Sequence, residues 1–237
     1  MGLMRTPPPA PRSRRDRPAK PALTREGIVT TALGLVRAEG LEKVTLRRLA
    51  RELDTGPASL YVYVQNVAEL HAAILDELLA QVDLSEREGA WRGRLEEVLT
   101  SYTVLLIDHP ALAQSAQVAR PFGPHYLDLI ERLLSLLNEG GVPAAQAAWG
   151  VDLLLQHATS IAVEQSTHKQ NANTEDEWNA LVHALLTADP ATRPQIAALG
   201  NQLLAGAPRD RMSWAFQMLI SGILATPVPH DISVPPQ

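Results

Sequence analysis

The chain has 237 residues, 46% apolar and 20% charged, with no cysteine, which allows one or two domains with a real core and excludes a disulfide framework or a Cys-ligated zinc. No stretch of about 18 apolar residues is present and the N-terminus lacks the apolar core of a secretion signal, so no membrane span is expected and a cytoplasmic protein is. The formal charge of −5 is unevenly spread: residues 1–64 hold 12 Lys and Arg against 6 Asp and Glu, and residues 65–237 hold 9 against 20, so the head is the part suited to a polyanion.

Residues 1–22 are rich in Pro and Arg and are expected to be a disordered basic arm, able to add phosphate or minor-groove contacts. A first helix is predicted over 24–39, with Thr24 as cap, Ile28, Ala32, Leu35 and Val36 on the inner face, and Gly40 as its stop. The second, 45–53, carries Leu46, Leu49, Ala50 and Leu53 at helical spacing, with Arg47, Arg48 and Arg51 on the other face. Gly56-Pro57 interrupts the pattern, and Pro57 suits the first position of a third helix over 57–64. Leu60 and Val64 are its inward residues. Two helices joined by a break of about four residues are the layout of a DNA-reading helix-turn-helix. A fourth helix starts at Asn66-Val67-Ala68-Glu69, which has the form of a capping box, and runs to Val82.

After a polar joint at 85–89, helices are predicted over 91–107, 111–119, 125–138, 144–167, 176–187, 193–204 and 209–225. The 144–167 helix is apolar on more than one side between Trp149 and Ile161, which implies burial on two faces, one free to line a cavity and the other to meet a partner chain. Residues 168–176 read as a mobile polar loop and 227–237 as a disordered tail. The domain organisation expected is therefore an arm (1–22), a helix-turn-helix unit (23–66), a helical body (67–226, with helix 67–82 as the connection) and a tail. The fold class is all-α.

Ile28-x3-Ala32-x2-Leu35, Gly40, Thr45-Leu46-Arg47-Arg48-Leu49-Ala50, Gly56-Pro57-Ala58-Ser59-Leu60-Tyr61 and Asn66-x2-Glu69-Leu70 together resemble the N-terminal domain of the TetR family of bacterial transcriptional regulators. The resemblance covers about a quarter of the chain; the remainder is similar in length and layout only. It implies a homodimer joined through helices 144–167 and 209–225, a small-molecule effector bound in the body, and a double-stranded DNA operator from which the effector releases the protein. It also implies DNA contacts from Thr45, Arg47 or Arg48, Gly56, Pro57, Ser59, Tyr61 and Tyr63. Backbone N–H groups and a tyrosine hydroxyl suit phosphate oxygens. Two positions depart from the family pattern. Asp54 replaces a glycine, and aspartate tolerates the left-handed conformation. Val67 replaces a lysine, which removes one phosphate contact.

In the body, Tyr102, His109, His125, Trp149 and His157 interrupt apolar helical stretches and are the candidate effector contacts. His157, Glu164 and His168 share a stripe, but successive members lie one to two turns apart, too far for one ion, so no metal and no cofactor is expected. No enzyme motif is present: there is no His-Glu-x-x-His, no Gly-x-Ser-x-Gly and no phosphate-cradling glycine loop. The residues read best as a ligand-responsive transcriptional repressor. The alternative is a helical ligand-binding or interaction protein without specific DNA binding, a reading that Val67 and the acidic total favour.

Overall fold

A computed structural model describes residues 22–118, 121–170 and 174–229. Among them the secondary structure is helical throughout: α1 (Arg25–Glu39), a 3-10 turn (Leu41–Lys43), α2 (Leu46–Glu52), α3 (Pro57–Leu60), α4 (Val67–Leu79), α5 (Trp91–Asp108), α6 (Pro110–Val118), α7 (Pro124–Glu139), α8 (Ala144–Gln170), α9 (Thr174–Leu186), α10 (Pro194–Leu204) and α11 (Pro208–Ala225). The predicted arm, apart from residue 22, and the tail from residue 230 lie outside the described residues.

The starts of the first helices follow from side-chain caps. Thr24 Oγ1 accepts from the Gly27 amide at 3.0 Å, Thr45 Oγ1 from the Arg48 amide at 3.1 Å, and Asn66 Oδ1 from the Glu69 amide at 2.8 Å. Each satisfies one amide that a helix start leaves without a carbonyl partner. Glu69 Oε2 accepts from the Gln65 amide at 2.8 Å, one residue before the partner expected for a capping box. Gly40 turns the chain after α1 with φ of 84°, and Asp54 sits at φ of 48° in the corner between α2 and α3, as its tolerance of that region predicts.

Three boundaries differ from the periodicity. α3 is one regular turn, yet Tyr61 keeps helical angles and the Tyr63 and Val64 amides both bond the Leu60 carbonyl at 2.9 Å, so the coil continues to Val64. α4 ends at Leu79 rather than Val82. Helix also occupies residues 168–170 and resumes at Thr174, within the segment expected to be a loop. Polarity without Gly or Pro does not end a helix, and Glu175, Asp176 and Glu177 in the first turn of α9 complement its dipole.

Ile28, Ala32, Leu49, Leu60 and Val64 are fully buried and join α1, α2 and α3 in one small core. Burying each large aliphatic side chain contributes roughly 1.5–3 kcal/mol. α4 leaves this unit and packs against α1 on one side and α6 and α7 on the other. α8 is the axis of the body, packed on α5, α6, α7 and α11 through Leu154, Ala158, Ala162 and residues such as Leu99, Leu133 and Phe216. Gly150 lets α11 come close, since a Cβ there would lie 2.9 Å from Ile223 Cγ2. α9 and α10 pack chiefly on each other.

Candidate nucleic-acid interface and effector cavity

The surface of the small unit is built around the helical turn from Pro57 to Val64. Leu60 and Val64 face inward and are wholly buried, while Ala58, Ser59, Tyr61 and Val62 are exposed and Tyr63 is half-buried. Gly56 and Pro57 are exposed at its start. Thr45 stands at the start of α2. Its oxygen already accepts from Arg48, but its hydroxyl proton stays available to a phosphate oxygen.

Arg47 and Arg48 differ. Arg47 is exposed. The Arg48 guanidinium bonds Glu39 at 2.6 and 3.3 Å and Glu52 at 2.7 Å. These carboxylates raise the Arg48 pKa, and hydrogen bonding to Arg48 holds Glu39 below its usual range. Of the two arginines expected near phosphate, Arg48 is thus engaged within the protein. Val67, where a lysine was expected, is 43% exposed at the first turn of α4. Residues 22–64 contain six Lys and Arg against five Asp and Glu, so the excess positive charge of the head resides in residues 1–21.

In the body, a cavity of about 360 Å³ is walled by Tyr102 of α5, Ala116 and Gln117 of α6, Pro121 and Tyr126, and Asp152, Leu155, Gln156 and Thr159 of α8. Tyr102 is 3% exposed, and its hydroxyl and Thr159 Oγ1 lie 3.0 Å apart. Thr159 donates to the Leu155 carbonyl at 2.8 Å, so the Tyr102 hydroxyl is the donor of that pair. A groove of about 660 Å³ between α7 and α8 shares Tyr126, Asp152, Leu155 and Gln156 with this cavity and adds Ile130, Leu134 and Trp149. Both volumes suit a drug-sized molecule.

The five body residues singled out from sequence are not gathered in one place. Tyr102 lines the cavity and Trp149 the adjoining groove, where it is 53% exposed. His109 lines a separate cleft of about 490 Å³ between Leu33, Val36 and Leu41 of the head and Leu78, Ala111 and Leu112 of the body. His125 is half-buried in the first turn of α7 and lines neither the cavity nor the groove. His157 points to α11, where its ring meets Phe216 edge-on at 5.9 Å, with Nε2 buried and without a hydrogen bond. An isolated histidine in an apolar helix shows only that a polar group is there. Which neighbour it faces depends on crossing angles that sequence does not carry. Tyr126, Gln156 and Thr159 were missed because they fit ordinary helical patterning.

The cavity and the head are joined by the segment from Pro121 to Tyr126. The Asp76 carboxylate, buried on α4, accepts from the Tyr126 amide at 2.9 Å. Gly123 abuts the same carboxylate so closely that a Cβ would overlap it. The Arg25 guanidinium of α1 lies over the Phe122 ring, 5.8 Å from its centroid, and is 3.6 Å from Glu69 of α4. One turn from Asp76, His71 Nδ1 and Ser115 Oγ of α6 are 2.9 Å apart, and Ser115 donates to the Ala111 carbonyl. His71 therefore donates through Nδ1.

A second exposed surface runs along α8 and α11. Trp149 and Leu153 of α8 and Trp214 and Met218 of α11 are exposed, and Ser221, Gly222 and Ala225 continue the α11 stripe.

A family model described as tetracyclin repressor-like, C-terminal domain, matches residues 85–226. The chain belongs to the TetR family. A transcription regulator of known structure from Streptomyces coelicolor, SCO7704, is 58% identical, with a TM-score of 0.77 over 89% of this chain and 98% of that one. ActR of S. coelicolor, solved in complex with actinorhodin, is 33% identical with a TM-score of 0.75, covering 86% of this chain and 97% of ActR. The transcriptional repressor DrrR1 of Streptomyces coeruleorubidus is 29% identical over 219 residues, 89% of this chain and 80% of the relative. As a member of this family, the chain is a DNA-binding transcriptional regulator. Among its described residues no helix is long and apolar enough to cross a membrane.

Proposed function

We propose that the protein is a cytoplasmic, non-enzymatic repressor whose effector occupies the cavity between α5, α6, α7 and α8 and the groove that continues it. The observation that carries this reading is the position of Tyr126, whose side of the helix walls the cavity while its amide is held by Asp76 of α4. A molecule that moves Tyr126 moves the start of α7, and with it the carboxylate that ties α4 in place. Arg25 over Phe122 makes the same segment a contact of α1. The effector then favours a body in which the two heads of the dimer no longer match successive major grooves, about 34–36 Å apart.

The lining supports one effector class. Tyr102, Tyr126 and Trp149 offer aromatic faces, and Leu155, Ile130 and Leu134 offer apolar walls. Asp152, Gln156 and Thr159 offer a few polar groups. A flat, largely apolar molecule carrying hydroxyl or carbonyl groups fits this set. The dimer forms through the exposed stripes of α8 and α11, with Trp149 at the border between this interface and the groove. On DNA, Thr45, Arg47, Ser59, Tyr61 and Tyr63 contact the backbone or groove, with Gly56 and Pro57 allowing close approach, while Arg48 orients the start of α2.

The test is retention of labelled DNA from upstream of the protein's own gene, at moderate salt and with excess competitor DNA, followed by titration with actinorhodin. Sequence-specific retention, and its loss on adding the ligand, is the expected result. Abolition of all retention by competitor refutes operator binding. Tight ligand binding without release of DNA refutes the coupling through Tyr126.

A further inference from the structure

Val62 is 80% exposed, the highest fraction among the large apolar side chains described. Its place in the helical turn is central. At about 100° per residue, the midpoint between buried Leu60 and Val64 lies about 180° from Val62. Val62 therefore stands at the middle of the outward face, with exposed Ala58 and Ser59 about 40–60° away on the preceding turn. Tyr61 and Tyr63 flank it on either side, each about 100° round. The face that a major groove meets is thus Ala58, Ser59 and Val62, bordered by two tyrosines whose hydroxyls suit phosphate.

That face has little hydrogen-bonding capacity. Ser59 can donate or accept, and so does not by itself select one base. Val62 offers only methyl groups. In the major groove the apolar feature is the 5-methyl of thymine, which distinguishes A·T from the other pairs without any hydrogen bond. We infer that Val62 is a specificity-determining residue that reads a thymine 5-methyl group at one position of each operator half-site. The inference rests on the helix-turn-helix reading of residues 45–64 and goes further, assigning readout to a residue that carries no hydrogen-bonding group.

Selection of binding sites from random double-stranded DNA by the full-length protein and by V62S tests it. Wild type should enrich a half-site with an invariant thymine, and V62S should lose that preference while keeping the others. Deoxyuridine in place of that thymine removes one methyl group and nothing else. Wild-type affinity should then fall about fourfold for one half-site and about fifteenfold for both, as loss of about one buried methyl-sized group per half-site implies. V62S should bind the two DNAs equally, and V62A should fall between. Equal melting temperatures of the proteins show that the fold is kept, as expected for so exposed a side chain. An unchanged thymine preference or an unchanged deoxyuridine penalty in V62S overturns the role of Val62, as does loss of binding to all DNA alike. Failure of wild type to enrich any site overturns the helix-turn-helix reading itself.

Discussion

Replacing Asp76 by Ala tests the joint between the cavity and the head. The carboxylate lies on α4, 5% exposed, and accepts from the Tyr126 amide at the start of α7. A hydrogen bond to a charged acceptor contributes about 1.5–3 kcal/mol, and an acidic group at a helix N-terminus about 0.3–1 kcal/mol more. Removing the carboxylate also relieves its desolvation, which offsets part of the loss. A net destabilisation of about 2 kcal/mol is expected, or about 4–8 °C in melting temperature for a chain of this size. D76N, which keeps the shape and an acceptor oxygen, should lose roughly half as much. Both variants keep the residues of the DNA face, so operator binding in the cold should persist while the ligand concentration needed for release changes. Thermal melting followed by circular dichroism measures the first effect, and a DNA-release titration the second. An Ala variant that melts at or above the wild-type temperature refutes the assignment of Asp76 as the cap of α7. Unchanged melting temperature together with unchanged release refutes the joint.

E39Q takes one carboxylate from Arg48 and frees part of its guanidinium for phosphate, so DNA affinity should rise roughly two- to fivefold per half-site, with a steeper salt dependence; an unchanged salt slope would show that Arg48 stays bound to Glu52. G140A places a Cβ into the Trp91 ring packed over the end of α7, and overpacking of this kind should cost about 1–3 kcal/mol, read as a lower melting temperature and altered tryptophan fluorescence. Burial lowers the pKa values of His71, His109 and His157, with Asp108 partly opposing this at His109. The folded chain then binds fewer protons than the unfolded one as pH falls through the ordinary imidazole value of about 6.5, so stability is complete above that value and declines below it until the depressed pKa values are reached. Melting temperatures measured from pH 8 down to 5 should fall, and a rise over that interval would contradict the burial effect.

Most of the helices were legible because their ends are chemical as well as periodic. Thr24, Thr45 and Asn66 cap, Pro57 opens a helix and Gly40 closes one, and each acts locally. The helix-turn-helix was legible for the same reason. The proposed effector cavity was not, because it is made by residues from four helices. Thr159 and Tyr126 are unremarkable in their own helices and become wall residues only through the crossing of α5, α7 and α8. The surroundings of His157 and Arg48 were hidden for a common reason. Sequence shows the helical face on which a side chain lies, but not that Phe216 stands opposite the first or Glu39, nine residues earlier, beside the second. Val62 was passed over for the reverse reason, since an apolar residue between two tyrosines reads as packing until its exposure is known.

The energy needed to work such a switch can be set against the contacts at the joint. Moving an operator-competent state from 99:1 to 1:99 requires a differential of about 5.5 kcal/mol. In each protomer the joint consists of the Asp76 bond to Tyr126, the Arg25–Phe122 contact and the His71–Ser115 hydrogen bond. These are of order 2, 0.5–1 and 1 kcal/mol respectively. Two protomers together hold roughly 7–8 kcal/mol, more than the switch needs. The effector therefore does not have to break every contact, and loss of the Asp76 and His71–Ser115 hydrogen bonds on each side, about 6 kcal/mol in all, suffices. All three contacts tie α1 or α4 to the segment from α6 to the start of α7. Small movements in the cavity wall thus act where head and body are already joined, with no long path through the core required.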